Sequence, residues 1–134
     1  MADEETLVIV KPDAVRRALI GEILSRIERK GLRIAEMRMM RIDRALSQEH
    51  YVEHREKPFF DELVGFITSG HVVVARVVGE GAVSVVRELM GPTDPAQAPP
   101  GTIRGDFGLL ITENLIHGSD SLETAKRELD LFFG

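Results

Sequence analysis

Apolar residues along this chain fall into short unbroken runs and longer stretches of helical spacing, with glycine, proline and charged clusters between them. Residues 6–10 form an apolar, β-branched run that predicts a buried strand ended by Pro12-Asp13. Ile20, Ile23, Leu24 and Ile27 recur on one face of a predicted helix over 20–30, and Gly31 stands where a C-cap belongs. Apolar residues at mixed spacing over 32–42 predict a second strand with charged residues on one face. Ser47 is placed to cap a short helix carrying His50 to Arg55, and 59–67 predicts another. The clearest strand is 72–78, followed by a helix over 82–90 and a loop rich in proline and glycine over 91–101. A fourth strand over 114–117 and a final helix over 121–132 complete the pattern, with Asp120 and Glu123 spaced as a capping box.

This order predicts an α+β fold: a ferredoxin-like βαββαβ antiparallel four-stranded sheet, with helices covering it on one face. No internal repeat or long linker divides the 134 residues, which gives a single domain over 1–134. The 91–101 loop is short enough to be ordered, and its prolines restrict it.

Composition narrows the classes. No apolar run approaches the roughly 20 residues that cross a bilayer, so no membrane association is expected. The start, Met1-Ala2-Asp3-Glu4-Glu5, is acidic and unlike a signal peptide, and the chain contains no cysteine. Both features fit a cytoplasmic protein. A net charge of −5 gives no support for nucleic-acid binding, so an anionic substrate needs a local cluster of cations.

The chemistry concentrates in Asn-Leu-Ile-His-Gly-Ser-Asp-Ser over 114–121. There His117 falls at a strand-to-helix junction, where outward backbone amides favour anions. A neutral imidazole keeps a nitrogen lone pair for attack on phosphorus. A rival reading comes from His50-Tyr51-Val52-Glu53-His54, which fits the H-x-x-E-H pattern of zinc hydrolases. Arg104-Gly105-Asp106 reads as a phosphate-facing arginine before a turn, Gly79-Glu80-Gly81 does not complete a dinucleotide fingerprint, and no Walker A sequence is present.

The segment over 114–121 closely resembles the active-site signature of nucleoside diphosphate kinases. Segments over 7–13, 21–31, 50–51, 58–60, 66–70, 91–95 and 101–107 resemble the same family in the same order, so the resemblance covers about 6–133. It implies the ferredoxin-like fold and ping-pong transfer of the γ-phosphate of a nucleoside triphosphate, mainly ATP, to a nucleoside diphosphate. By the same resemblance, His117 attacks through Nδ1 and carries the phosphoryl group, while Ser119 and Glu128 orient its ring. Arg87, Arg104 and Thr93 hold phosphates, Lys11 and Asn114 bind the ribose, and Tyr51 borders the histidine. Phe59 stacks on the base, with Leu63 or Ile111 opposite, in a way that accepts any base. Mg2+ arrives on the nucleotide phosphates, without a metal cage of protein carboxylates. The family also implies a homo-oligomer built from a common dimer, a hexamer or, in some bacteria, a tetramer; the short tail after Phe133 removes one set of subunit contacts. A non-catalytic nucleotide-binding relative is the alternative within the family. Two positions depart from the usual pattern: His71 replaces a common proline, and Arg76 interrupts the apolar run of the third strand.

Overall fold

The computed structural model describes residues 3–134; Met1 and Ala2 of the acidic start lie outside them. Four strands form one sheet: β1 (Glu4–Val10), β2 (Arg33–Arg41), β3 (His71–Gly79) and β4 (Ile116–Gly118), in spatial order β2-β3-β1-β4. Every neighbouring pair is antiparallel, as the βαββαβ order requires. Around the sheet lie α1 (Pro12–Arg16), α2 (Ile20–Lys30), α3 (Arg44–His50), α4 (Phe60–Ile67), α5 (Ala82–Met90), α6 (Ile103–Phe107) and α7 (Leu122–Phe133). No helix among the described residues is long and apolar enough to cross a membrane.

Helices cover both faces of the sheet, not one. The central strands are apolar in both directions, and strand side chains alternate between faces. Val8, Val10, Val73, Ala75 and Val77 pack with Ile23 and Ile27 of α2 and Val86 of α5. Leu7, Ile9, Val72 and Val74 form a second core with Ile67 of α4 and Leu129 and Phe132 of α7. Each such side chain contributes about 1.5–3 kcal/mol when withdrawn from water, so neither face can stay bare.

β2 behaves differently. It lies at the sheet edge, and Met37 and Met39 are 57% and 56% exposed. Its mixed spacing in the sequence reflects a strand that this chain leaves uncovered.

Several local expectations are corrected. Asp43, not Ser47, caps α3, its carboxylate accepting from the Leu46 amide at 2.8 Å; Ser47 lies inside the helix and bonds back to the Arg44 carbonyl. Ser121, not Asp120, caps α7 by accepting from the Thr124 amide at 3.0 Å. The helix expected to carry His50 to Arg55 ends at His50, and Val52–His54 form a separate 3-10 turn. The two five-residue helices α1 and α6 were not apparent in the pattern, because neither spans two turns of apolar periodicity. Pro95–Gln97 give the 91–101 loop a 3-10 turn of its own.

Arg76 does not spoil β3. Its guanidinium donates to Glu5 and Glu36, each at 2.6 Å, and lies over the Phe133 ring. His71 is exposed at the start of β3, opposite Arg41 of β2.

Candidate active site

β4 is short, and its register decides the site. Pairing sets His117 opposite Ile9, so the imidazole projects from the face that α7 covers, while Gly118 turns toward α5. A Cβ on Gly118 would lie 2.6 Å from Met90 Sδ and 2.9 Å from Val86, which is why the strand carries glycine beside its histidine.

Glu128, one of the buried residues of α7, meets that imidazole. His117 Nε2 lies 2.8 Å from Glu128 Oε1, and the Ser119 hydroxyl donates to the same oxygen at 2.6 Å. Burial works to raise the Glu128 pKa, but the hydrogen bond and charge of His117, His50 and the Ser119 hydroxyl outweigh it and leave it lowered. An ionised carboxylate accepts, so Nε2 carries the proton and Nδ1 keeps its lone pair. Ser119 is fully buried and reaches the cleft only through Glu128.

The connection into β4 is held under strain. Leu115 has φ +76°, uncommon for a residue with a side chain. It is fully buried, its amide donates to Asp13 Oδ2 at 3.1 Å, and its carbonyl accepts from the Lys11 amide at 2.9 Å. Asp13 therefore clamps the end of β1 to the start of β4, and its carboxyl pKa is raised by burial, against the opposing pull of Lys11. Asp13 was not singled out from the sequence, because nothing in Lys-Pro-Asp announces a partner 102 residues away.

On the cleft side, Lys11 Nζ donates to Asn114 Oδ1 at 2.8 Å, and Asn114 Nδ2 donates to the Thr93 carbonyl at 3.0 Å. Arg104 spends three donors on backbone carbonyls: Asn114 at 3.1 Å, Gly91 at 2.9 Å and Ile116 at 2.6 Å. Its planar fork ties the 91–101 loop to β4, and two of its five N–H groups remain. Burial and the nearby Arg87 bring Arg104 down to about 10. Burial, then Arg104, bring the Lys11 amine down to about 8 against the attraction of Asp13.

These groups line one cleft of ≈ 610 Å³. Lys11, Tyr51, Phe59, Arg87, Thr93, Arg104, Asn114, His117 and Glu128 all border it, as do Leu63 and Ile111; Ser119 alone stands behind. Four cations, Lys11, Arg87, Arg104 and Arg127, line the cleft, and Phe59, 43% exposed, offers a ring flanked by His54 and Lys57. The zinc reading of His50, Glu53 and His54 is not assembled. Among the described residues, one group of histidine and acidic side chains brings its ligand atoms within 4.8 Å of one another, and it is His50, His117 and Glu128. The break after α3 turns His50 toward His117, with ring centroids 4.7 Å apart and planes at 82°, and away from His54.

A histidine backed by a buried carboxylate thus shares one cleft with Lys11, Arg87, Arg104 and Arg127. The nucleoside diphosphate kinase family model matches residues 4–134. The chain belongs to the nucleoside diphosphate kinase family. It is 65% identical over 131 residues to a nucleoside diphosphate kinase of Rubrobacter xylanophilus, covering 98% of each chain. A Thermus thermophilus relative of the same name is 60% identical, with 97% of this chain and 95% of that one covered. Among solved structures, the halophilic nucleoside diphosphate kinase of Halobacterium salinarum in complex with CDP aligns at TM-score 0.96 and 54% identity, over 98% of this chain and 88% of that one. The Aquifex aeolicus nucleoside diphosphate kinase aligns at TM-score 0.96 and 45% identity, over 99% and 96%. The protein is thus an enzyme with the catalytic function of its family, which works with a divalent cation.

Proposed function

We propose that this chain moves the γ-phosphate of a nucleoside triphosphate, mainly ATP, to a nucleoside diphosphate through a phosphohistidine on His117. The observation that carries the reading is the Nε2 contact of His117 with Glu128, which leaves Nδ1 as the free nucleophile. Nδ1 forms a bond to the γ-phosphorus, the bond to the bridging oxygen breaks, and its electrons leave with the diphosphate. The Nε2 proton stays shared with Glu128, so the ring gains positive charge beside a carboxylate. A second diphosphate then takes the phosphoryl group by the reverse path, one geometry serving donor and acceptor.

Ser119 and Glu128 act by positioning the ring. Arg87 and Arg104, with Thr93, receive phosphate oxygens, and the free N–H groups of Arg104 suit a bidentate contact. Lys11 and Asn114, already hydrogen-bonded to each other, meet the ribose hydroxyls. Tyr51 closes the histidine side, its phenol pKa raised by burial and then by Glu128, so it stays a neutral donor. Phe59 stacks on the base beside Leu63 or Ile111, which suits purines and pyrimidines alike.

The cation is Mg2+, which neutralises phosphate charge when bound. Glu53, Glu62, Asp120 and Glu128 border the cleft, but among the described residues no three carboxylates bring their oxygens together, and the His50, His117 and Glu128 group has the wrong donors for a hard ion. Magnesium is therefore held by the nucleotide's own oxygens. The chain acts as one catalytic domain in the cytoplasm, in a homo-oligomer, a hexamer or a tetramer, seated on the uncovered β2.

Brief incubation with γ-labelled ATP and magnesium, without acceptor, tests the mechanism. An acid-labile, alkali-stable label is expected on the wild type, discharged by GDP as GTP, and absent from His117→Ala. An unlabelled wild type, or a labelled His117→Ala, overturns the reading.

A further inference from the structure

His50 has no part in the phosphoryl transfer described above, yet it is 5% exposed and its Nδ1 has no hydrogen-bond partner. That nitrogen points at Glu128 Oε2, 3.7 Å away, which is longer than a hydrogen bond. A buried polar atom left without a partner calls for an explanation, and an ion that the site accepts is one. The neighbouring ligand atom is His117 Nε2, 2.8 Å from the other oxygen of the same carboxylate. Burial, then His117, hold the His50 ring at a pKa of about 3, so it stays neutral and available as a ligand.

We propose that His50 Nδ1, His117 Nε2 and Glu128 form a binding site for one borderline divalent cation of the zinc type, and that its binding silences the kinase. Two imidazoles and one carboxylate are a donor set that zinc favours and magnesium does not. The ligand atoms span less than 4.8 Å, and small rotations bring them to zinc bonding distance. Lys11 and Arg127 face the same cluster, Arg127 lying 3.9 Å from Glu128 Oε2. Their charges oppose a dication, so occupancy follows the free zinc concentration rather than being permanent.

Inhibition rests on His117 Nδ1 being the nucleophile. Coordination takes the Nε2 lone pair and moves the proton from Nε2 to Nδ1, with no net proton release from the ring. Nδ1–H has no lone pair for phosphorus. The metal lies behind the ring, so saturating nucleotide does not compete with it.

Equilibrium dialysis of the nucleotide-free protein against buffered Zn2+ tests the site directly. One ion per chain is expected for the wild type and for His71→Gln, a surface control, with binding weakened at least roughly tenfold in His50→Gln. Thermal melts confirm that each variant is folded. On wild-type protein, nitrogen NMR of the histidines gives an answer independent of any variant: Zn2+ is expected to shift His50 Nδ1 and His117 Nε2 and to put a proton on His117 Nδ1. Excess Mg2+ leaves these shifts unchanged. Absence of stoichiometric binding, equal binding by folded His50→Gln, or shifts confined to His54 and His71 overturns the site. Binding without loss of the ATP-derived label overturns the inhibitory role alone. A metal-free protein that never takes the label refutes the phosphohistidine mechanism, while dialysis still decides the site.

Discussion

Lys11 is held between opposing influences, and its amine is the group expected to set an alkaline limit. Burial and Arg104 lower its pKa to about 8, while the Asp13 charge works upward. In the proposed mechanism Lys11 meets the nucleotide as a cation, and that charge is lost as pH rises through this value, so kcat/KM is expected to fall above about pH 8. Asp13→Asn keeps an acceptor for the Leu115 amide but removes the charge that supports Lys11. The alkaline limb of its pH–kcat/KM profile is therefore expected at lower pH than in the wild type. A limb that stays in place would show that Lys11 does not set it. The same pair affects stability: between about 8 and the ordinary lysine value, the unfolded chain binds more protons than the folded one. Lys11 alone then makes folding more favourable as pH rises through that window.

The helix α6 and the loop before it show how one element can hold a site. Thr102 caps α6 by accepting from the Gly105 amide at 2.9 Å, and its hydroxyl donates to the Pro99 carbonyl at 2.7 Å. A Cβ on Gly105 would lie 2.0 Å from the Pro99 oxygen, a backbone atom that cannot step aside alone. Arg104, the residue before Gly105, carries the three bonds that tie the loop to β4. Gly105→Ala is expected to destabilise the fold by about 1–3 kcal/mol, as overpacking does, and to raise KM for nucleotide. Urea unfolding and steady-state kinetics read the two effects; a variant with unchanged KM would mean that the loop does not position Arg104.

The edge strand β2 is an unfinished surface of the assembled chain. β1 and β3 are covered on both faces, whereas β2 leaves its outer edge unpaired among the described residues and exposes Met37 and Met39. An uncovered edge strand with large apolar side chains favours association. Sedimentation velocity is expected to show species well above the 14.9 kDa chain, and Met39→Asp is expected to shift them toward smaller ones. A wild type that sediments as a monomer would exclude the oligomer. Ordinary surface substitutions away from β2 serve as controls.

The linear pattern determined the strands, the long helices and the antiparallel order, because unbroken runs such as 72–78 and the spacing of Ile20, Ile23 and Ile27 carry their periodicity locally. It also marked His117, Arg104 and Lys11, whose residue types and neighbours match a family pattern. It did not reveal α1 and α6, which are too short for a period, or the second helical layer, since a buried run looks alike whichever face is covered. The caps moved by a few residues for a related reason: more than one oxygen-bearing side chain lies around the start of α3 and of α7, and only backbone geometry selects Asp43 and Ser121. Long-range contacts decided the rest. His50 meets His117 and Glu128, and Asp13 meets Leu115, across separations of 67, 78 and 102 residues that leave no local trace. The position of a charge or a lone pair in a folded chain depends on which distant elements the core brings together, and that depends on packing in three dimensions.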